Sequence, residues 1–260
     1  MIVLTGATGA LGGAIALSLA KAKGQLIVLG RNQDLLEVLL KKLTPFASVQ
    51  AYAVNVMDRD DLIRVKKEIV KQYDRIDVLI NAVGGNLPGA VIPDDKSVFD
   101  LSESDFDEVV DLNLKGTLLP SLVFGEVMSQ KGKGSIINYS SMAVDRVITR
   151  VLGYSASKAA MENFTRWMAV EMALKFGDGI RVNAIAPGFF IGKQNKDLLL
   201  NQDGSLTERG EKIIRNTPMK RFGEAEELNG PIHFLCSDSA SFVTGIVLPV
   251  DGGFSAFSGV

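Results

Sequence analysis

The sequence predicts an α/β fold with a parallel, doubly wound sheet, because short apolar runs alternate regularly with amphipathic helical stretches. We expect a single seven-stranded parallel sheet with helices on both faces, its strands formed by residues 2–5, 25–29, 49–54, 77–81, 135–139, 180–186 and 245–249. The segments between the first four strands are predicted to form helices joined to the strands by loops of a few residues. This alternation is typical of right-handed βαβ units.

Composition and charge exclude several classes of protein. The chain has 260 residues, of which 47% are apolar and 22% charged, so we expect one globular domain over residues 1–260. A net charge of −2 gives no electrostatic footprint for nucleic acid or an anionic membrane surface. Cys236 is the single cysteine, which excludes an internal disulfide and suits a reducing compartment. We therefore expect a cytoplasmic protein with no nucleic-acid or membrane partner.

The connections after the fourth and sixth strands are longer than the others. Residues 83–103 are rich in Gly, Pro and Asp, and a helix is predicted over residues 105–128. Residues 192–218 are polar with helical patches, which predicts a substrate flap over the carboxyl edge of the sheet.

A glycine-rich turn follows the first strand directly and opens the first helix. Its glycines Gly6, Gly9 and Gly12 are spaced by three, which differs from the G-x-G-x-x-G fingerprint. A strand, a glycine turn and a helix together direct free backbone N–H groups and the helix dipole at a pyrophosphate. A plain tight turn is the alternative, but the position after the first strand favours a dinucleotide.

The end of the second strand bears on which dinucleotide is bound. A site for NAD usually carries an acidic residue there, which accepts a hydrogen bond from the ribose 2′-hydroxyl. This chain has Gly30, Arg31 and Asn32 instead. A guanidinium at Arg31 pairs with a 2′-phosphate, so we expect NADP(H) in preference to NAD(H). A solvated arginine before a helix is the alternative.

A candidate catalytic set of three residues follows the fifth strand in the sequence. Tyr154 and Lys158 are four apart in a helical stretch and therefore lie on one face, and Ser141 follows the strand. We expect the Lys158 ammonium to lower the pKa of Tyr154 toward neutrality, as suits a general acid or base. Alone, such a pair is more often a solvated surface pair than a catalytic one.

These motifs, in this order, resemble the short-chain dehydrogenase/reductase family over essentially the whole chain. The resemblance implies a Rossmann fold and a catalytic set of Asn113, Ser141, Tyr154 and Lys158. Tyr154 and Lys158 also belong to the implied cofactor site, whose other members are Thr5, Gly6, Thr8, Gly9, Leu11, Gly12, Arg31, Asn32, Asn55, Val56, Asn81, Ala82, Gly84, Pro187, Gly188 and Phe190. Some positions depart from the family pattern: Ala10 replaces a glycine, Asn55 an aspartate and Gly192 a threonine, and the family's N-N-A-G is Asn81-Ala82-Val83-Gly84 here.

The C-terminal half resembles members of the family that act on sugar acids. The resemblance implies interconversion of a keto-sugar acid and its hydroxy acid, with D-fructuronate and D-mannonate as the first choice and gluconate or unsaturated-uronate reduction as alternatives. A sugar acid needs a cation for its carboxylate and polar groups for its hydroxyls. Our candidates for this role are Asn86, Ser141, Arg146, Arg150, Lys193, Gln194 and Asn195, with Arg150 and Lys193 preferred.

Two other classes of function compete with the reductase. A non-catalytic nucleotide-binding protein has no need of the acid–base set, and a nucleotide-sugar epimerase or dehydratase needs a further C-terminal domain. His233 and Cys236 make no metal-ligand cluster. The helices predicted at residues 105–128 and 161–176 carry more apolar surface than one sheet face needs, which favours a homo-oligomer. The resemblance implies a tetramer.

Overall fold

A seven-stranded parallel sheet forms the centre of the protein. The computed structural model describes residues 1–192 and 195–259. The strands are β1 Ile2–Thr5, β2 Leu26–Gly30, β3 Val49–Ala53, β4 Val78–Asn81, β5 Gly134–Tyr139, β6 Ile180–Pro187 and β7 Val247–Val250. Their order in the sheet is β3-β2-β1-β4-β5-β6-β7. This is a doubly wound Rossmann-type sheet, which confirms the predicted fold class.

Helices follow or precede most strands. They are α1 Ala10–Lys21, α2 Gln33–Leu43, α3 Arg59–Tyr73, α4 Glu103–Val110, α5 Gly116–Lys131, α6 Leu152–Phe176, α7 Lys196–Leu199, α8 Glu208–Asn216 and α9 Asn229–Cys236. Side chains cap several of these helices, as when Asn32 accepts a hydrogen bond from Leu35 N and Asp58 from Asp60 N.

The helix predicted over residues 105–128 is corrected in one respect. Between α4 and α5 the chain forms a π-helical segment, Asp111–Lys115. Such a segment inserts an extra residue into the helical ladder, and it is frequent at functional sites. Sequence periodicity does not reveal it, because the apolar pattern continues across it.

Each face of the sheet is covered by a separate apolar layer. Side chains of α3, α5 and α6 pack on one face against Val3, Ile27 and Leu79. Side chains of α1, α2 and α9 pack on the other against Val28 and Ile80. Because both faces are buried, the strands read as continuous apolar runs rather than alternating ones.

The strand order reverses between β1 and β4, which are direct neighbours. In open α/β sheets a ligand binds in the crevice beside the carboxyl ends of the strands at such a switch point. The glycine turn after β1 and the loop after β4 both lie there. The register pairs Thr5 with Asn81 and Asn81 with Asn138, so these loops leave the sheet at the same level.

The segment predicted as a flap has regular structure of its own. It contains α7 and α8, joined through an antiparallel bridge between Leu200 and Leu206. Within the described residues, no helix is long and apolar enough to cross a membrane.

Candidate active site

A groove of about 240 Å³ lies at the switch point. Its walls come from the turns after β1, β2, β3 and β4. Its lining includes nine of the predicted site residues: Gly6, Thr8, Gly9, Arg31, Asn55, Val56, Ala82, Gly84 and Asn86. The structure therefore brings together eight of the eighteen predicted cofactor residues, and Asn86 from the predicted substrate set.

The glycine turn packs closely against the backbone of the loop after β4 and of its own first residue. Gly6 has φ +67°, and a Cβ there would lie 2.6 Å from the Ala82 backbone. A Cβ on Gly12 would lie 2.3 Å from the Gly6 carbonyl oxygen. Helix α1 begins at Gly9 with no side-chain cap and no acidic residue in its first turn. Its dipole and N–H groups are thus left for an anion, which fits a pyrophosphate.

One polar atom in the groove lining lacks a partner. The Oδ1 atom of Asn86 is buried and accepts no hydrogen bond. Buried acceptors are normally satisfied, so this atom fits a ligand that carries a donor group.

Other predicted cofactor residues lie outside the groove lining. Thr5 and Asn81 are fully buried, with the Asn81 amide donating to Ser121 Oγ and Asn138 Oδ1 at 2.9 Å. Asn32 caps α2. The others are Leu11, Gly12, Pro187, Gly188 and Phe190. The family motif predicts that all these residues contact the cofactor. It does not distinguish residues that line the groove from residues that lie outside the lining.

Phe190 lines a second and larger cavity of about 350 Å³ between the flap and the C-terminal segment. That cavity includes Thr217, Arg221 and Asp251 and none of the four predicted catalytic residues. Size alone would favour it, but the glycine turn and the switch point favour the smaller groove as the dinucleotide site.

Lys158 is a buried ammonium beside the groove. Its side chain is 3% exposed, and Nζ donates a hydrogen bond to the Tyr139 carbonyl oxygen at 2.7 Å. A Cβ on Gly84 would lie 2.9 Å from Nζ and 2.7 Å from Asn113 Oδ1, so the loop after β4 packs directly on both side chains. Burial lowers the pKa of Lys158 to about 8, and the charge of Glu162 opposes that shift.

Tyr154 lies next to Lys158, as predicted, but its predicted electrostatics need correction. Nζ of Lys158 lies 5.6 Å from the centre of the Tyr154 ring. Burial raises the pKa of Tyr154 above its usual value, and a hydrogen bond with the Ser141 hydroxyl acts in the opposite direction. Burial is the larger of these two effects, so the pKa of Tyr154 is raised and not lowered as predicted.

A buried carboxylate stands behind this pair. Glu162 is 1% exposed and lies one helical turn beyond Lys158, on the face shared with Tyr154. It accepts a hydrogen bond from Ser140 Oγ at 2.6 Å and an ion pair from Arg166 at 3.0 Å. The sequence pattern does not single it out, although its spacing of four from Lys158 is a usable signal.

Ser141 follows the end of β5 and is half-buried. Its hydroxyl accepts a hydrogen bond from Ala143 N at 3.2 Å, which closes a tight turn. Because Ser140 beside it is tied to Glu162, the turn is anchored to α6 on one side.

Asn113 lies in the π-helical segment and is fully buried. Its amide donates to the Gly85 and Val109 carbonyl oxygens, each at 2.8 Å, and accepts from Gly85 N at 3.0 Å. The side chain therefore holds the loop after β4 in place against Lys158.

The predicted substrate residues differ in their hydrogen-bond partners. Arg150 forks onto Asp94, with Nε 3.0 Å from Oδ1. The Asn195 amide bonds to Phe190 O and Gly192 N, and Arg146 bonds to Ser255 O. The last two are thus hydrogen-bonded to backbone groups. Lys193 and Gln194 lie outside the described residues.

The part of the chain that the structure describes contains no group of three or more His, Cys, Asp or Glu residues that could hold a metal ion. His233 instead contacts Ser18 Oγ through Nε2 at 2.8 Å.

Comparisons with known proteins agree with this geometry. A family model described as enoyl-(acyl carrier protein) reductase matches residues 6–255. The uncharacterized oxidoreductase UxuB of Bacillus subtilis is 45% identical over 99% of this chain and 95% of its own length.

Two solved structures have the same fold. A Haemophilus influenzae protein provisionally named a D-mannonate oxidoreductase, with bound NAD, is 40% identical, with a TM-score of 0.92 over 100% of this chain and 96% of that one. An Agrobacterium tumefaciens protein provisionally named a gluconate dehydrogenase is 26% identical, with a TM-score of 0.86 over 98% of this chain and 96% of that one. The chain therefore belongs to the short-chain dehydrogenase/reductase family, whose members are NAD(P)-dependent oxidoreductases acting on alcohol groups.

Proposed function

We propose that this protein reduces a keto-sugar acid to its hydroxy acid, reversibly, with D-fructuronate and D-mannonate as the pair. The observation that carries the proposal is the juxtaposition of Tyr154, Lys158 and Ser141 beside a dinucleotide-shaped groove. The likeness to a provisionally named D-mannonate oxidoreductase over the whole chain supports the substrate. The gluconate dehydrogenase likeness, at 26% identity, supports the second candidate, a gluconate-type reaction.

The roles of the residues follow from their positions. The groove lined by Gly6, Gly9 and Arg31 would hold a nicotinamide dinucleotide, which would supply hydride chemistry at the carbonyl carbon. Tyr154 donates its phenolic proton to the carbonyl oxygen, and the Ser141 hydroxyl donates a hydrogen bond to the same oxygen. These donors are in place before charge develops, which is why they stabilise the transition state.

The raised pKa of Tyr154 keeps the phenol protonated, which is the form that donates a proton in reduction. A phenol that keeps its proton at neutral pH is ready to donate it, whereas oxidation requires its removal. Lys158 contributes a positive charge within 5.6 Å of the ring, which stabilises the phenolate left after proton transfer. Asn113 acts by fixing the Gly85 loop against Lys158.

The first test is the reaction itself. Purified protein should consume NADPH or NADH, followed by absorbance, when D-fructuronate is added. Tyr154→Phe should lower kcat by at least about 100-fold, because general acid catalysis contributes that much, while the dinucleotide still binds.

Tyr52→Phe is the matched control, since Tyr52 lies on the edge strand β3 and its hydroxyl contacts Gln50. It should keep wild-type turnover. Wild-type turnover in Tyr154→Phe would overturn the assigned role, and consumption with other keto acids but never with D-fructuronate would overturn the substrate.

A second prediction concerns pH. Glu162→Gln removes the carboxylate that raises the pKa of Lys158, so that pKa falls below about 8 and the ammonium is lost at lower pH. The alkaline decline of kcat in reduction should therefore begin at lower pH than in wild type.

Glu171→Gln, on the same helix and paired with Lys175, is the control and should leave the profile unchanged. Identical alkaline limbs in wild type and Glu162→Gln would contradict the electrostatic role.

The preference between cofactors depends on Arg31. We propose NADP(H), because Arg31 lines the groove and has no acidic neighbour in sequence. The relative solved with NAD supports the other choice. Arg31→Ala should raise KM for NADPH about tenfold or more and leave KM for NADH nearly unchanged, since only NADPH carries the 2′-phosphate. Equal changes for both cofactors would count against this role.

We also propose a cytoplasmic homotetramer. Exposed apolar residues Trp167, Val170 and Leu174 are spaced by three and four on α6, with exposed fractions of 61%, 59% and 78%. Such a stripe is typical of a helix that packs on another subunit. Light scattering should give four times the chain mass of 27.9 kDa, and Val170→Glu should reduce it. A monomeric wild-type protein would contradict the proposed tetramer.

A further inference from the structure

Three loops that leave neighbouring strands meet in one charged cluster. Asp94 lies after β4, Arg150 after β5 and Arg209 after β6, at the start of α8. The Arg150 guanidinium is paired with Asp94 through both Nε and Nη2. Arg209 Nη1 lies 3.4 Å from Thr149 Oγ1, which joins the flap helix to the segment that carries Arg150. The cluster therefore lies at the carboxyl edge of the sheet, where Tyr154 also lies.

The backbone at this position is strained. Arg150 has φ +76°, in the left-handed region that residues with a side chain rarely adopt. Its carbonyl oxygen accepts a hydrogen bond from Ile92 N at 3.0 Å, which holds the strained conformation against the loop after β4. Strain of this kind persists where the surrounding structure fixes it, and it concentrates at functional sites. Arg150 is also only four residues before Tyr154.

The charges of the cluster do not balance. Asp94 is taken by Arg150, and Glu208, the nearest acidic residue along the chain to Arg209, is paired with Lys212. Among the described residues, no carboxylate oxygen lies within 4.0 Å of the Arg209 guanidinium. Arg209 is half-buried; burial and the charge of Arg150 lower its pKa, and the charge of Asp94 acts in the opposite direction. Three cations (Arg150, Arg209 and Lys212) and two carboxylates (Asp94 and Glu208) leave one excess positive charge that an anion would neutralise.

We propose that Arg209 and Arg150 form the subsite that binds the carboxylate of the substrate. Arg209 makes the direct contact, and Arg150, oriented by Asp94, supplies the second positive charge. Guanidinium groups suit this role because their planar forks match a carboxylate. Since Arg209 belongs to α8, the bound carboxylate would also contact the flap. The inference rests on the proposed function, which it refines by assigning the group that distinguishes a sugar acid from an uncharged sugar.

The test measures ligand binding separately from turnover. In a Tyr154→Phe background saturated with dinucleotide, calorimetry compares D-mannonate with D-mannitol, which lacks the carboxylate. Arg209→Met should weaken D-mannonate binding about tenfold to hundredfold, the usual range for a charged hydrogen bond, and leave D-mannitol unchanged. Arg215→Met, an exposed arginine on the same helix, is the control and should change neither. Equal weakening of both ligands, or of neither, would overturn the subsite.

The outcomes separate this inference from the proposed reaction. If wild-type protein reduces D-fructuronate and Arg209→Met keeps its KM, the subsite is wrong and the reaction stands. If another keto acid is the substrate and Arg209→Met raises KM for that acid alone, the subsite stands and the substrate proposal falls. If only uncharged sugars are reduced, with or without Arg209, both are wrong.

Discussion

The buried ammonium of Lys158 is the constraint on which the rest of the site depends. Transfer of a charged amine out of water is costly unless partners replace the lost hydration. Here the partners come from separate elements: the Tyr139 carbonyl at the end of β5 and the Glu162 carboxylate one turn along α6. The end of β5 and one face of α6 must therefore lie at a fixed distance from each other. This arrangement places Tyr154 and Ser141 at the carboxyl edge of the sheet.

The π-helical segment orients Asn113 toward the loop after β4. Asn113 must reach the loop after β4 with both ends of its amide, which a regular helix over the same residues would not orient in the same way. The extra residue in the ladder turns it toward Gly85, and Gly84 beside it leaves no room for a side chain against Lys158. The loop after β4, which lines the groove, and the Lys158 ammonium are thus held in place by the same contacts with Asn113 and Gly84.

Much of this arrangement was predictable from local patterns. Apolar runs alternating with helices predict the parallel sheet, and the spacing of Tyr154 and Lys158 predicts a shared face. Local patterns fail where one residue type has two uses. Asn81 and Asn32 match a cofactor motif, yet one bonds inside the core and the other caps a helix. Asn195 is polar and near the site, but its amide closes the turn beside it.

The sequence by itself determined the sheet, the glycine turn and the shared helix face of Tyr154 and Lys158, because these follow from periodicity and from spacing along a single element. Only the tertiary structure decided the electrostatics of Tyr154, the partnership of Lys158 with Glu162 and the meeting of Asp94, Arg150 and Arg209. Burial and charge pairing depend on groups that are distant in sequence, and the fold brings those groups together.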